Sequence, residues 1–422
     1  MLEPLTRPLS LPCGATIENR IAKTAMSEGM ADLDHHSTPR LEALYQRWAQ
    51  SGAGLLFSGN IQVDRDHLER PLNIVIEDDG GSEQLARLAA AGKSGGAHFW
   101  AQLSHPGRQV DAAINPAPLA PSAVEVDVIR GAGFNFAPPR AMDEAEIGRT
   151  IEQFAYAAAQ VRDAGFTGVT LHAAHGYLIS QFLSPLSNRR EDRWGGSLEN
   201  RSRFLIEAIR AVREAVGSDF PIGIKLNSSD FQKGGFTSAE CVALVKVLNG
   251  TSLDLLEVSG GSLEQPKVMG ITLKEEGEDG PRQSTIAREA YFVNFTKEIR
   301  DVATMPVMVD GGFRSAAAMI ESLEKEELDL IGIGRPMIAD PQGPKRLLSG
   351  EIDRLPSYET RFQIFHFLPW NNMQLERMGD GLAPDLSLDG EAAFNAFVEL
   401  EANNLAALLM HRGMAGSAGS RK

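Results

Sequence analysis

Short apolar runs alternate with longer amphipathic stretches through most of this sequence. Ile21–Ala25, Gly54–Ser58, Ala97–Leu103, Gly168–Leu171, Ile222–Leu226, Leu253–Val258, Val307–Val309 and Leu330–Ile333 are each short and largely apolar. That is the signature of strands buried on both faces. Between them the apolar period changes to three or four. In Asp143–Ala164, Ile147, Ile151, Phe154, Ala158 and Val161 fall on one stripe, with Asp143 placed to cap the helix. Leu198–Val216 repeats the pattern through Phe204, Leu205, Ala208, Ile209 and Val212, and Gly217 stops it. Thr237–Leu248 and Ser284–Val302 predict two more helices.

Strands alternating with helices predict an α/β fold with a parallel sheet. An open doubly wound sheet and a closed barrel both satisfy that order. An open sheet that binds a dinucleotide carries a glycine fingerprint after its first strand. Here Met26-Ser27-Glu28-Gly29 follows, and no GxGxxG or Walker-type loop occurs in the chain. Instead Asn60, Gln102, His172, Asn227, Ser259, Asp310 and Gly334 stand at the ends of successive strands. A barrel gathers all of these on the face where barrel active sites lie. The expectation is therefore a (β/α)8 TIM barrel.

A barrel needs about 250 residues, so the surplus is expected in loops after strands 3, 4 and 6 and in a tail. Pro106–Arg140, rich in Pro, Ala and Gly, reads as a hairpin or lid, and Gly261–Pro281 as a second excursion. Residues 1–345 are assigned to the barrel and 346–412 to a helical extension packed on the barrel or on a neighbouring subunit. Phe365, Phe367 and Trp370 in that extension either cover the pocket, meet another subunit or pack on the barrel, the last being favoured. Residues 413–422 are small and polar and read as a disordered tail.

Composition narrows the function classes. The chain is 43% hydrophobic and 23% charged, with a formal charge of −15. An acidic chain is poorly suited to nucleic acid or anionic membrane, since attraction to phosphate supplies most of such affinity. No apolar stretch approaches the ~20 residues of a membrane span, and residues 1–13 lack a signal-peptide pattern. Cys13 and Cys241 are the only cysteines, which excludes a disulfide framework or a cysteine metal cluster. They read as reduced thiols of a cytoplasmic protein.

The densest candidate chemistry is Leu171-His172-Ala173-Ala174-His175-Gly176-Tyr177 at the mouth of the fourth strand. Imidazole N–H groups there can bind a carbonyl or phenolate oxygen, and a phenol beside them can donate a proton. A structural His pair is the bland alternative. Chelation is a weaker one, because no third metal ligand is evident nearby. Asp310-Gly311-Gly312-Phe313 and Gly334-Arg335-Pro336 follow strands seven and eight, where barrels recurrently bind phosphate. Arg335 can add a bidentate contact. Gln102 ends the third strand. Lys225 lies inside an apolar strand, and its burial predicts a bound anionic group, with a strand-end salt bridge as the alternative. Thr24 and Ser27 flank the first strand exit; either they bond a cofactor or they are turn hydroxyls.

The stretch from His172 through Gln181, Pro185, Asn188, Asp192, Gly195 and Glu199 to Arg201 closely resembles the Old Yellow Enzyme family of FMN-dependent NAD(P)H oxidoreductases. The resemblance extends from Asn19-Arg20-Ile21 to Gly334-Arg335-Pro336 and includes Gln102-Leu-Ser-His105-Pro-Gly107-Arg108-Gln109. It implies a bound FMN, with NADPH or NADH as a transient reductant. His172 and His175 match the pair that binds the substrate's electron-withdrawing oxygen, and Tyr177 the proton donor to its α-carbon. Thr24, Ala25, Met26, Ser27, Gly59, Gln102, Lys225, Gly311, Gly312, Gly334 and Arg335 match cofactor-binding positions, with Gly59 under the flavin edge. Ser27 stands where members carry Cys or Thr. Gly29 stands where many carry Tyr, which implies an altered or more open pocket. Two distant cysteines cannot ligate the iron–sulfur cluster of longer relatives, so the short FMN-only form is expected.

The implied reaction reduces a C=C bond next to a carbonyl or nitro group in a small-molecule substrate. Two other classes compete. One is a non-redox barrel lyase or isomerase with Lys225 as a catalytic amine. The other is a non-catalytic flavin-binding protein. Family members are often dimers or larger, which leaves a homo-oligomer open.

Overall fold

A computed structural model describes residues 2–127, 135–264, 293–362 and 364–413. Eight parallel strands close into a barrel: β1 (Ile21–Lys23), β2 (Leu55–Gln62), β3 (His98–Ser104), β4 (Gly168–Ala173), β5 (Ile222–Asn227), β6 (Leu255–Ser259), β7 (Val307–Asp310) and β8 (Leu330–Ile333). Each pairs with the next in order, and β1 pairs with both β8 and β2, so no barrel edge remains. All eight expected strands are present. β2 runs to Gln62, beyond its predicted end at Ser58.

A helix follows each strand. α1 (Pro39–Ala49), α2 (Ser82–Lys93), α3 (Glu144–Asp163), α4 (Leu198–Val216), α5 (Ser238–Leu248), α6 (Val293–Arg300), α7 (Ala316–Glu324) and α8 (Gly343–Leu348) ring the barrel. Their starts are written locally. Asp143 with Glu146, and Thr237 with Glu240, form capping boxes, and Ser197 and Ser315 cap α4 and α7. Gly217 ends α4 at φ 84°. Part of the predicted helix Ser284–Val302, most of the Gly261–Pro281 excursion, part of Pro106–Arg140 and the tail from 414 lie outside the described residues.

Alternate residues of each strand face the barrel interior. Low in the barrel these are apolar: Ala22, Leu55, Phe57, Trp100, Leu255, Met308 and Leu330 form one buried cluster. Leu9, Leu11 and Ile17, from the antiparallel ribbon of Leu9–Ser10 with Thr16–Ile17, join it. Above this plug the inward positions turn polar, so the barrel has an apolar base and a polar top.

Beyond the barrel, α9 (Ile364–Gly379) packs on α1 and on α10 (Gly390–His411). Arg40 pairs with Glu376 and Asp380, and Arg47 donates to the Gly381 and Leu382 carbonyls, which fixes α9 to the barrel wall. No described helix is long and apolar enough to cross a membrane. Both cysteines are free, and burial pushes the Cys241 thiol up to about 12.

Candidate functional site

The strand parity that builds the plug also builds the site. Two residues above Trp100 comes Gln102, above Gly223 comes Lys225, above Leu255 comes Glu257 and above Met308 comes Asp310. Lys225 and Asp310 of this layer line a cavity of about 440 Å³ at the carboxyl ends of the strands, within the range of small-molecule sites. Of the expected site residues, Thr24, Ala25, Met26, Ser27, His175, Tyr177, Lys225, Gly311, Gly312, Gly334 and Arg335 line it. Gly59, Gln102 and His172 do not.

His172 is 3% exposed and stands beside the cavity wall, its ring 4.7 Å from that of Tyr177 and 5.0 Å from that of His175. His172 Nδ1 accepts the Ala174 N–H at 3.3 Å, which assigns its hydrogen to Nε2. His175 sits at φ 60°, a left-handed backbone held by Asn227 on its N–H and Gln109 on its carbonyl. Its Nε2 meets Ser259 Oγ at 2.8 Å. Burial and Lys225 push His175 down to about 3, and burial with His175 pushes His172 well below the ordinary range. Both rings are therefore neutral at physiological pH. No third metal ligand joins them among the described residues.

Gly59 departs from expectation because β2 contains a bulge between Phe57 and Asn60. The extra residue restores Asn60 to the interior opposite Gln102 and turns Gly59 outward. A Cβ on Gly59 would lie 2.1 Å from Glu28 Oε2 and 2.5 Å from the Met26 carbonyl. Glycine is thus needed here for the close approach of the Glu28 loop. Gln102 donates from Nε2 to Asn60 Oδ1 at 2.7 Å, and its buried Oε1 has no partner among the described residues.

Lys225 also needs correction. The anion it meets belongs to the protein: Nζ lies 2.6 Å from Asp310 Oδ2 and 2.9 Å from Glu257 Oε1. Burial opposes its charge, but the two carboxylates outweigh that and hold it above the ordinary lysine range. Burial also opposes charge at Asp310, yet Lys225 holds that carboxyl low, while burial raises Glu257.

Gly311 and Gly312 adopt φ 97° and 94°, conformations that suit glycine. None of the hydrogen bonds among the described residues uses their N–H groups. Arg335 lines the same end of the cavity and has no carboxylate partner among the described residues. Free amides beside an unpaired guanidinium suit an oxyanion.

Two neighbours in one loop were not visible as site residues in the sequence. Glu69 lines the cavity and accepts from the Tyr177 hydroxyl. Arg70 occupies the space at Gly29, where a Cβ would come within 2.5 Å of its guanidinium carbon. The pocket is therefore not opened by Gly29. Arg70 donates to the Ser27 and Glu28 carbonyls, to Asn372 of α9 and to Glu401 of α10. It ties the first-strand loop to the extension, and Phe367, Leu368, Asn371 and Leu375 of α9 complete the cavity wall. The only sequence signal was a charged pair in a loop on the active face.

Asp64, His67 and His105 also converge. His67 Nε2 accepts the Leu119 N–H and His105 Nδ1 the Gly107 N–H, so the remaining ring nitrogens carry hydrogens toward Asp64. His67 Nδ1 is hydrogen-bonded to Asp64 at 2.9 Å while His105 Nε2 stands 3.8 Å away, and rings already accepting a backbone N–H are poorly placed to serve as metal ligands.

The sequence model of the NADH:flavin oxidoreductase / NADH oxidase family matches residues 4–353. The NADH-dependent flavin oxidoreductase iliE of Neonectria sp. (strain DH2) is 34% identical over 355 residues, which are 80% of this chain and 46% of that protein. The NADH-dependent flavin oxidoreductase iccE of Talaromyces variabilis is 33% identical over 361 residues, 82% of this chain and 86% of that one. The chain thus spans less than half of the first relative and most of the second. The structure of the old yellow enzyme homologue from Zymomonas mobilis superposes with a TM-score of 0.68 at 25% identity, covering 85% of this chain and 96% of that one.

Proposed function

The chain belongs to the NADH:flavin oxidoreductase / NADH oxidase family, the Old Yellow Enzyme family, and from that premise we propose that it is an FMN-dependent oxidoreductase. It takes electrons from NADH or NADPH and reduces a C=C bond activated by a carbonyl or nitro group. The observation that carries this reading is the convergence of His175, His172 and Tyr177 beside one cavity. The oxyanion-ready end at Gly311, Gly312 and Arg335 fits the FMN phosphate, and the orphaned Gln102 Oε1 suits a ring N–H donor.

FMN, when bound, supplies a two-electron carrier between the nicotinamide and the substrate β-carbon. The protein positions and protonates. His172 offers Nε2–H and His175 its ring nitrogen to the activating oxygen, as neutral donors in a low-dielectric site. Tyr177 holds the proton for the α-carbon. Burial, then the Glu69 carboxylate, raises it well above an ordinary phenol, so it is protonated throughout the physiological range. A general acid of this kind contributes about 10²–10⁴-fold. Tyr177→Phe should therefore slow alkene-driven flavin reoxidation by about 10²-fold or more while flavin reduction by NAD(P)H stays close to wild type. Stopped-flow absorbance of the two half-reactions checks this, and equal loss in both would reject the acid role.

The lyase reading loses its nucleophile. Lys225 is held protonated between two carboxylates, and an ammonium cannot attack a carbonyl.

A further inference from the structure

The Tyr177 hydroxyl and the Glu69 carboxylate meet in one hydrogen bond. Glu69 Oε2 accepts both from the Tyr177 hydroxyl and from Asn60 Nδ2, the latter at 2.5 Å. Asn60 Oδ1 accepts from Gln102 Nε2 at 2.7 Å, and in that arrangement its amide nitrogen faces Glu69. With two donors on Oε2, the Glu69 carboxyl is an acceptor there. The Tyr177 O–H consequently points at Glu69 and away from any substrate.

We propose that Glu69 is a positioning residue that decides whether the Tyr177 proton is available: only protonated Glu69 turns the Tyr177 O–H toward the substrate. This rests on the reading of Tyr177 as the acid. When Oε2 carries a proton it donates to the Tyr177 oxygen, and the phenolic hydrogen rotates into the cavity. Hydride for the β-carbon would come from the flavin when it is bound and reduced. The Tyr177 O–H bond breaks as the α-carbon C–H bond forms, and the Glu69 O–H bond breaks as the Tyr177 O–H bond reforms. The substrate leaves saturated, the electron pair having come from the flavin, and the side chains return to the arrangement in the structure, with Tyr177 donating to the Glu69 carboxylate. Glu69 lines the cavity, and no hydrogen bond among the described residues uses its Oε1, so water in the cavity can reprotonate it. An unaided Tyr177 would instead have to form a phenolate beside a carboxylate, two like charges in hydrogen-bond contact.

The other ionisable groups around the pair do not replace this switch. On the β4 side, His172 is buried and His175 half-buried, both as neutral rings. Arg70, adjacent on the Glu69 loop, is locked to Glu401 and does not titrate. Lys225 and Asp310, across the cavity, are committed to each other.

The test is the pH profile of reoxidation of the reduced yellow holoenzyme by 2-cyclohexen-1-one in anaerobic stopped flow. Reduction by NADPH in the same preparation serves as the reference. In wild type the reoxidation rate should have an alkaline limb that falls about tenfold per pH unit, the slope of one proton. In Glu69→Gln that limb should vanish relative to the reference, because an amide has no proton to lose. Glu69→Ala should also be flat, which guards against a folding defect in either variant. Tyr177→Phe with Glu69→Gln should be no slower than Tyr177→Phe alone, since Glu69 acts only through Tyr177. Persistence of the limb in Glu69→Gln, or additive losses in the double variant, would overturn the proposal. If Tyr177→Phe is itself as fast as wild type, the acid reading of Tyr177 fails instead.

Discussion

Two buried lysines, on strands β1 and β5 of the same barrel, show how far the surroundings of a residue decide its chemistry. Lys225 meets Asp310 and Glu257 and is held charged. Among the described residues Lys23 meets only the Thr24 and Phe57 carbonyls within hydrogen-bond reach, with its Nζ 4.1 Å from the Trp48 ring centroid. Burial pushes it down to about 7. The sequence showed one of them as a cation in an apolar strand but could not say what it faces. The difference has a measurable consequence. Lys225→Met would leave two carboxylates buried without their cation, and breaking such a pair costs about 3–5 kcal/mol. Urea unfolding at neutral pH should show a lower midpoint with an unchanged slope. A loss within about 0.5 kcal/mol would mean that the ion pair is not buried as described.

At the level of elements, the barrel was legible because its strands are apolar runs and its helices carry their own caps. Asp143, Gly217 and the Thr237–Leu248 boundaries needed only local spacing. The pocket rim was legible wherever a site residue directly follows a strand, as with Thr24, Asp310 and Gly334. It was not legible where long-range packing decides. Gly59 is turned by a bulge that only its pairing with β3 reveals, and Glu401 is 331 residues from its Arg70 partner. The end of α10 offers a test of such a distant tie. Arg412 donates to His35 Nε2 at 2.9 Å, while His35 Nδ1 faces the Asn73 carbonyl at 3.2 Å. His35 must be neutral for both contacts. Burial, then Arg412, pushes it down to about 4, against about 6.5 when unfolded. A depressed folded pKa gives stability that is present above 6.5 and is lost as pH falls from there through 4. Wild type should therefore exceed His35→Asn by up to about 2 kcal/mol more at pH 8 than at pH 5. Paired urea titrations measure the difference, in which all other histidines cancel. A gap that does not change with pH would show that His35 titrates as an ordinary imidazole.

Across the whole molecule, one cavity joins the rim of β1, β7 and β8 to the wall supplied by α9, so cofactor binding and folding are linked through it. A ligand that binds only the folded form stabilises by RT ln(1 + [L]/Kd), about 2.7 kcal/mol at a hundredfold excess over Kd. Which part of the ligand supplies this can be separated. Riboflavin carries the same ring system as FMN without the phosphate. If Gly311, Gly312 and Arg335 form the phosphate end, FMN should raise the melting temperature of the cofactor-free protein more than riboflavin at equal concentration. Arg335 has no carboxylate partner among the described residues, so its removal leaves no buried anion uncompensated. Arg335→Ala should accordingly leave the melting temperature without ligand nearly unchanged. It should also weaken FMN by about 1.5–3 kcal/mol, the worth of a hydrogen bond to a charged group, and bring FMN toward riboflavin. Differential scanning fluorimetry with both ligands on both proteins decides the matter. Equal stabilisation of wild type by FMN and riboflavin would reject the phosphate end, while a large FMN advantage that survives in Arg335→Ala would assign it to the Gly311–Gly312 amides alone.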